Sequence, residues 1–203
     1  LGLKLAGEPL MKKHSNLFIP WLTSLGLLFF SPSSQAAEIE TIDVIYERDN
    51  IKITTVALFE AGIDNVFNVL ADYNNYTELS GVYKEATWLS LDDSETFGVG
   101  FTVIQGCIIW FCKTIERTEE VKMNRPHQII TKVIDDDLNY GETTWIFSDK
   151  NNMTSLDFEM NFSPNFWVPP VIGPWAIEQF ISYKLKDTLD RIEAIANALN
   201  DAP

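Results

Sequence analysis

Between Val82 and Ser163 the chain passes through six strand-like segments joined by short connections. The segments are Val82–Leu91, Phe97–Gln105, Cys112–Val121, Gln128–Ile134, Thr143–Phe147 and Met153–Phe162. Turn formers part them: Asp92-Asp93-Ser94, Met123-Asn124-Arg125-Pro126, Asp135 to Asn139, and Asp149 to Asn152. Parallel neighbours need a dozen or more residues to return, so the arrangement predicts an antiparallel meander. In its last two segments Thr143, Trp145 and Phe147 share one face, followed by Leu156, Phe158, Met160 and Phe162 against Ser155, Asp157, Glu159 and Asn161. One face is dry and aromatic, the other wet and acidic.

The meander is flanked by material of a different period. Ile42 to Glu47 and Ile51 to Phe59, separated by Arg48-Asp49-Asn50, read as a hairpin or as one bent edge ribbon. Ile63, Val66, Phe67 and Leu70 then follow the spacing of an amphipathic helix, which Asp72-Tyr73-Asn74-Asn75-Tyr76 breaks before a second short turn near Leu79. Beyond Pro164 a charge-free stretch, Asn165 to Ala176, leads into a long helix ending near Leu199. Its stripe of Ile177, Phe180, Ile181, Leu185, Leu189, Ile192, Ile195, Ala196 and Leu199 needs a sheet to cover it, which predicts a two-layer α+β domain.

The first 36 residues read as a targeting segment. Met11-Lys12-Lys13 is a basic start, Leu17 to Phe30 is mostly apolar, and Ser34-Gln35-Ala36 places small residues at a cleavage site before Ala37. The apolar run, interrupted by Pro20, is shorter than the roughly 20 residues of a membrane span. The expected organisation is therefore an upstream extension over 1–10, a signal peptide over 11–36 and one domain over 37–203. The mature protein is expected to be exported to the periplasm and soluble.

Cleavage removes Lys4, Lys12, Lys13 and Glu8 from the 15 basic and 29 acidic residues, leaving 12 against 28 and a net charge of −16. Such a body repels phosphate backbones, so nucleic acid is not an expected partner. Two cysteines and the one remaining histidine, His127, do not furnish a four-ligand Cys/His zinc site. No Gly-x-Ser-x-Gly elbow presents a serine nucleophile. Neither metal nor cofactor is expected, and no catalytic residue is assigned.

The order of strands, two short helices, six-strand meander and long C-terminal helix resembles the helix-grip fold. This is the START-like (SRPBCC) superfamily, which includes Bet v 1 allergens and polyketide cyclase-like proteins. The stretch from Phe59-Glu60-Ala61-Gly62 to Asp72-Tyr73-Asn74-Asn75-Tyr76 resembles the strand-to-helix segment and its D-Y-x-x-Y turn in the polyketide cyclase and coenzyme-Q-binding branch. Phe166-Trp167-Val168-Pro169-Pro170-Val171-Ile172-Gly173-Pro174 resembles the lead into the last helix of exported bacterial members. The resemblance covers about 38–203. It implies a curved antiparallel sheet around the C-terminal helix, with short helices after the first strand and a cavity between sheet and helix.

Composition alone favours a solid aromatic core; the resemblance implies a cavity, and the sequence places Phe101, Val103, Trp145, Phe147, Phe158, Met160, Phe162, Trp175 and Phe180 on the inner faces expected to line it. No Arg or Lys falls clearly on the dry face, which favours a neutral hydrophobic cargo of the lipid, quinone or polyketide-like class. Strand parity brings the tip Ile108-Ile109-Trp110-Phe111 and the exit Phe166-Trp167 to one rim, an entrance at which transient membrane contact is expected. Asp135-Asp136-Asp137 beside it lacks the alternating ligand spacing of a calcium loop and reads as an acidic turn. Cys107 and Cys112 bracket the tip; in an exported chain they are expected to be disulfide-bonded, with two buried free thiols as the alternative. Beside the carrier stand two other readings: a cyclase or dehydratase using Asp72, Glu78 or Glu142 as general acid or base, and an interaction module that docks through the apolar rim.

Overall fold

In a computed structural model, which describes residues 37–47, 50–108, 110–136, 138–166 and 174–200, the first two segments form an antiparallel hairpin, β1 (Glu38–Glu47) and β2 (Asn50–Phe59). The expected leader over 1–36 lies outside the described residues, as do Ile109 and Trp167 of the expected rim. The meander follows as β3 (Tyr83–Leu91), β4 (Phe97–Ile108), β5 (Phe111–Asn124), β6 (Gln128–Asp136), β7 (Leu138–Lys150) and β8 (Met153–Pro164). β2 pairs with β8, which gives one eight-stranded sheet in the order β1-β2-β8-β7-β6-β5-β4-β3, every neighbour antiparallel. The strands outrun their expected ends: β7 takes in Asn139 and Gly141, and β5 takes in Met123 and Asn124. Cross-strand pairing recruits residues whose own preference is for turns.

Between hairpin and meander stand α1 (Ile63–Ala71), a 3-10 turn (Tyr73–Asn75) and α2 (Tyr76–Leu79). α1 buries Val66, Phe67 and Leu70, and the Phe67 ring meets Phe147 of β7 edge-on at 5.3 Å. The Asp72 carboxylate ends α1 by accepting the Asn74 N–H at 3.1 Å. Tyr73 then turns inward onto β4, where a Cβ at Gly100 would stand 2.3 Å from its ring; only a glycine backbone admits the ring so close.

The 27 residues of α3 (Pro174–Asn200) span about 40 Å along the inner face of the sheet. Ile177, Leu189, Ile192 and Ala196 of its stripe are buried. The larger core cluster gathers where α1, α2 and the later turns of α3 meet the sheet, and a smaller one, Ile51, Ile53 and Ile177, forms under the first turns of α3. The molecule is the helix-grip α+β fold. Among the described residues no helix is long and apolar enough to cross a membrane.

Candidate functional site

Two cavities lie end to end between the sheet and α3. The first, of about 230 Å³, is walled by Trp145, Leu156, Phe158 and Met160 from the sheet, Leu70, Tyr76 and Leu79 from α1 and α2, and Phe180, Leu185 and Ile192 from α3. Besides its tyrosines, this mostly apolar wall carries the polar side chains Thr55, Ser80, Lys184 and Thr188, and the first two stand out. Thr55 and Ser80 are each 2% exposed, both line the cavity, and neither hydroxyl has a hydrogen-bond partner among the described residues. A buried unpartnered hydroxyl costs about 1–3 kcal/mol, which a ligand bearing a hydrogen-bonding group would recover. The Tyr76 hydroxyl is already committed, donating to the Leu70 carbonyl at 2.7 Å.

The second cavity, of about 170 Å³, lies toward the β4–β5 tip and is walled by Ile51, Ile108, Phe111, Ile115, Phe162 and Ile177, with Phe166 and Lys113 at its edge. The Lys113 ammonium sits 4.9 Å above the Phe166 ring. Cys107 and Cys112 face each other across the β4–β5 ladder and are disulfide-bonded. Their side of the strands points outward, so the bond closes the tip while Ile108 and Phe111, the next pair, turn into the cavity.

Beside the first cavity lies a buried polar cluster. The Arg117 guanidinium pairs with the Glu119 carboxylate at 3.0 Å, and Glu119 also accepts from the Tyr73 hydroxyl at 3.1 Å and the Thr131 hydroxyl at 3.0 Å. Burial is the largest influence and works against the Arg117 charge, but Glu119 together with Tyr83, Tyr73 and Tyr76 outweighs it and holds the guanidinium protonated above its ordinary range. Burial pushes the hydroxyls of Tyr73, Tyr76 and Tyr83 above the usual phenol range, and the Glu119 charge adds to the rise. These tyrosines are therefore neutral hydroxyls rather than bases. The cluster corrects the expectation that the dry face carries neither Arg nor Lys, since Arg117 and Lys113 both hold inward positions of β5. The outward neighbours Thr114, Glu116 and Thr118 are polar too, so this strand shows no polarity alternation to read.

Of the expected lining residues, Trp145, Phe158, Met160 and Phe180 face the first cavity, and Phe162 and Phe180 the second. Phe147 is packed solidly against Phe67. Phe101 and Val103 are corrections: they lie on the outer face, because the inward phase of β4 is Gly100, Thr102 and Ile104, opposite buried Glu119, Arg117 and half-buried Ile115. Small residues hold that phase where helical side chains press on the sheet, so the bulky ones point out. Trp175 is likewise a correction at 72% exposed, since it lies two residues, about 200° around the helix, from buried Ile177. At the rim Ile108, Phe111 and Phe166 line the second cavity, and Trp110 is 69% exposed in the turn. None of the carboxylates considered for acid–base work is on a cavity wall. Asp72 caps its own turn, Glu78 is exposed, and Glu142 on the outer face accepts from the Tyr140 hydroxyl at 2.6 Å. Sequence reasoning missed Thr55 and Ser80. Thr55 was findable as the one polar residue in the inward phase Ile51, Ile53, Thr55, Ala57, Phe59. Ser80, at the end of α2, carries no such mark.

Over residues 60–181 the sequence matches the family described as polyketide cyclase / dehydrase and lipid transport. Among curated proteins, none has a significantly similar sequence. Solved structures with a similar fold include a protein from Thermus thermophilus (12% identity, TM-score 0.59, 73% of this chain and 98% of that one). A START superfamily protein from Mycobacterium smegmatis matches at 14% identity and TM-score 0.58, over 73% of this chain and 98% of that one. The Zhui aromatase/cyclase from a Streptomyces species matches at 13% identity and TM-score 0.59, over 73% of this chain and 94% of that one. At these identities the likeness is one of fold.

Proposed function

Because the chain belongs to the polyketide cyclase / dehydrase and lipid transport family, we propose that it is an exported binding or carrier protein for a hydrophobic small molecule of the lipid, quinone or polyketide-like class. The observation that carries this reading is the first cavity, whose apolar wall is broken by the unpartnered hydroxyls of Thr55 and Ser80. Such a wall suits a neutral molecule with an apolar body and one hydrogen-bonding group at its end. The exposed Trp110 and Trp175 are close in sequence to Phe111 and Ile177, which line the second cavity, at whose end cargo would pass to or from a membrane. Export is supported by the basic, apolar and small-residue order of residues 11–36 and agrees with the disulfide.

The test is displacement of an apolar fluorophore by a long-chain 1-alkanol and by the matching alkane. Saturable binding at one molecule per chain is expected, with the alkanol ahead by about two- to tenfold, the worth of one hydrogen bond. That advantage should vanish in Ser80→Ala/Thr55→Val. Absence of saturable binding overturns the reading. A mature N-terminus other than one near Ala37, or retention in the cytoplasm after fractionation, overturns export.

A further inference from the structure

Among the described residues, Phe180 and Ile181 are the only side chains common to the linings of both cavities. Phe180 reaches β4: a Cβ at Gly106 would stand 3.3 Å from its Cζ, so the ring spans the layer from helix to strand. The two cavities follow one helix face, from Ile192 in the first to Ile177 in the second. Ser80 belongs to the far end of the first cavity, since α2 meets α3 near Arg191, whose guanidinium lies 3.5 Å from the Glu78 carbonyl. From Ile192 to Phe180 the helix rises about 18 Å. A molecule seated with its polar end at Ser80 therefore runs along α3 and ends against the Phe180 ring. On the other side of the ring lies an apolar chamber whose described lining holds one polar side chain, Lys113.

We infer that Phe180 is the partition that sets the length of the cargo: straight-chain neutral amphiphiles are held with the polar group at Ser80 and the tail stopped at the Phe180 ring. This rests on the carrier reading and adds to it the residue that selects by chain length. Ile181 packs beside it against the cluster of Ile51, Ile53 and Ile177, and Gly106 provides the space into which the Phe180 ring extends. The arrangement makes tail length, rather than head chemistry, the quantity that Phe180 controls.

The experiment is a 1-alkanol series of increasing length, each member displacing the same apolar fluorophore from the wild-type chain, Phe180→Leu and Phe180→Ala. Affinity in the wild type is expected to rise about fourfold per methylene and then level off at one length. In Phe180→Ala the rise should continue over several more carbons, with Phe180→Leu between the two. Ile115→Trp, which fills the second cavity, should restore the wild-type plateau in the Phe180→Ala background and leave the plateau of the wild type in place. Should Phe180→Ala fail to fold, the shift in Phe180→Leu alone decides. The same plateau length in wild type and variants, with alkanols still bound, overturns the partition and leaves the carrier reading standing. No alkanol binding by the wild type overturns both.

Discussion

Glu193 accepts the backbone N–H of Glu60 on both carboxylate oxygens, at 3.0 and 3.1 Å, across 133 positions of sequence. Glu60 is the first residue after β2, so this bond ties the corner between β2 and α1 to the later turns of α3. Asn197, one turn further on, donates to the same carboxylate at 2.8 Å. The helix is thereby fastened to the sheet at its C-terminal part, beyond the first cavity, while its first turns rest on Ile51 and Ile53.

Burial raises the Glu193 pKa, and the hydrogen bonds from Asn197 and Glu60 only partly oppose this. A carboxyl with a raised folded pKa favours folding at low pH. Its contribution is full below the unfolded value, about 4.3, and is lost as pH rises through the folded value. Denaturant unfolding at a series of pH values should therefore show wild-type stability falling relative to Glu193→Gln as pH rises above about 4.3. A difference that stays flat over this range refutes the expectation. Glu193→Ala, which leaves the Glu60 N–H without its acceptor, should cost about 1–3 kcal/mol.

Arg117 and Glu119 form a buried pair, so removing one partner strands the other. Arg117→Met is expected to cost about 3–5 kcal/mol, and the double variant Arg117→Met/Glu119→Leu much less than the two single losses together. A double-mutant cycle by urea unfolding measures the coupling. Additive losses would show that the two charges are stabilised independently.

The legible part of this molecule was the part written in alternation and spacing. Phe158, Met160 and Phe162 announced their face because Asp157, Glu159 and Asn161 stand between them, and the α3 stripe announced the helix that covers it. The site was legible only where those same residues line it. β4 misled because its inward positions include glycines, kept small by Tyr73 on Gly100 and Phe180 on Gly106, so that Phe101 and Val103 carry the bulk outward. The Arg117–Glu119 pair was hidden because burial of a charge depends on a partner two residues along the strand and on Tyr73 and Thr131 from elsewhere in the fold. Division of the cavity at Phe180 depends on how far one ring reaches across the layer, which no local pattern encodes.

The disulfide closes a loop of six residues, Cys107 to Cys112, too short for cross-linking to remove much unfolded-state entropy. Reduction should lower stability by about 2 kcal/mol without unfolding the domain. The oxidised chain should take up no thiol reagent, and labelling at two sites before reduction would contradict the bond. Because Ile108 and Phe111 turn inward beside it, Cys107→Ser/Cys112→Ser should affect the second cavity more than the first. The probe is the Phe180→Ala background, where added tail length should gain less affinity.

On the carrier reading, membrane contact at the rim would come chiefly from apolar side chains. Trp110 in the β4–β5 turn and Trp175 at the start of α3 are both largely exposed, and their sequence neighbours Phe111 and Ile177 line the second cavity. The chain carries a net charge of −14 and is repelled by an anionic surface, so on this reading any attachment would come from inserting the indole rings at the lipid interface. Transfer of a fluorescent lipid from neutral vesicles should therefore change little with added salt, because screening acts on charges and not on apolar contact. Trp110→Ser/Trp175→Ser should slow that transfer by about tenfold, equivalent to about 1.4 kcal/mol of lost apolar contact. The affinity for cargo already in solution should stay as in the wild type, since neither tryptophan lines a cavity wall. Transfer at the wild-type rate would show that these tryptophans take no part in cargo exchange, and a loss of solution affinity would place them in the binding site instead.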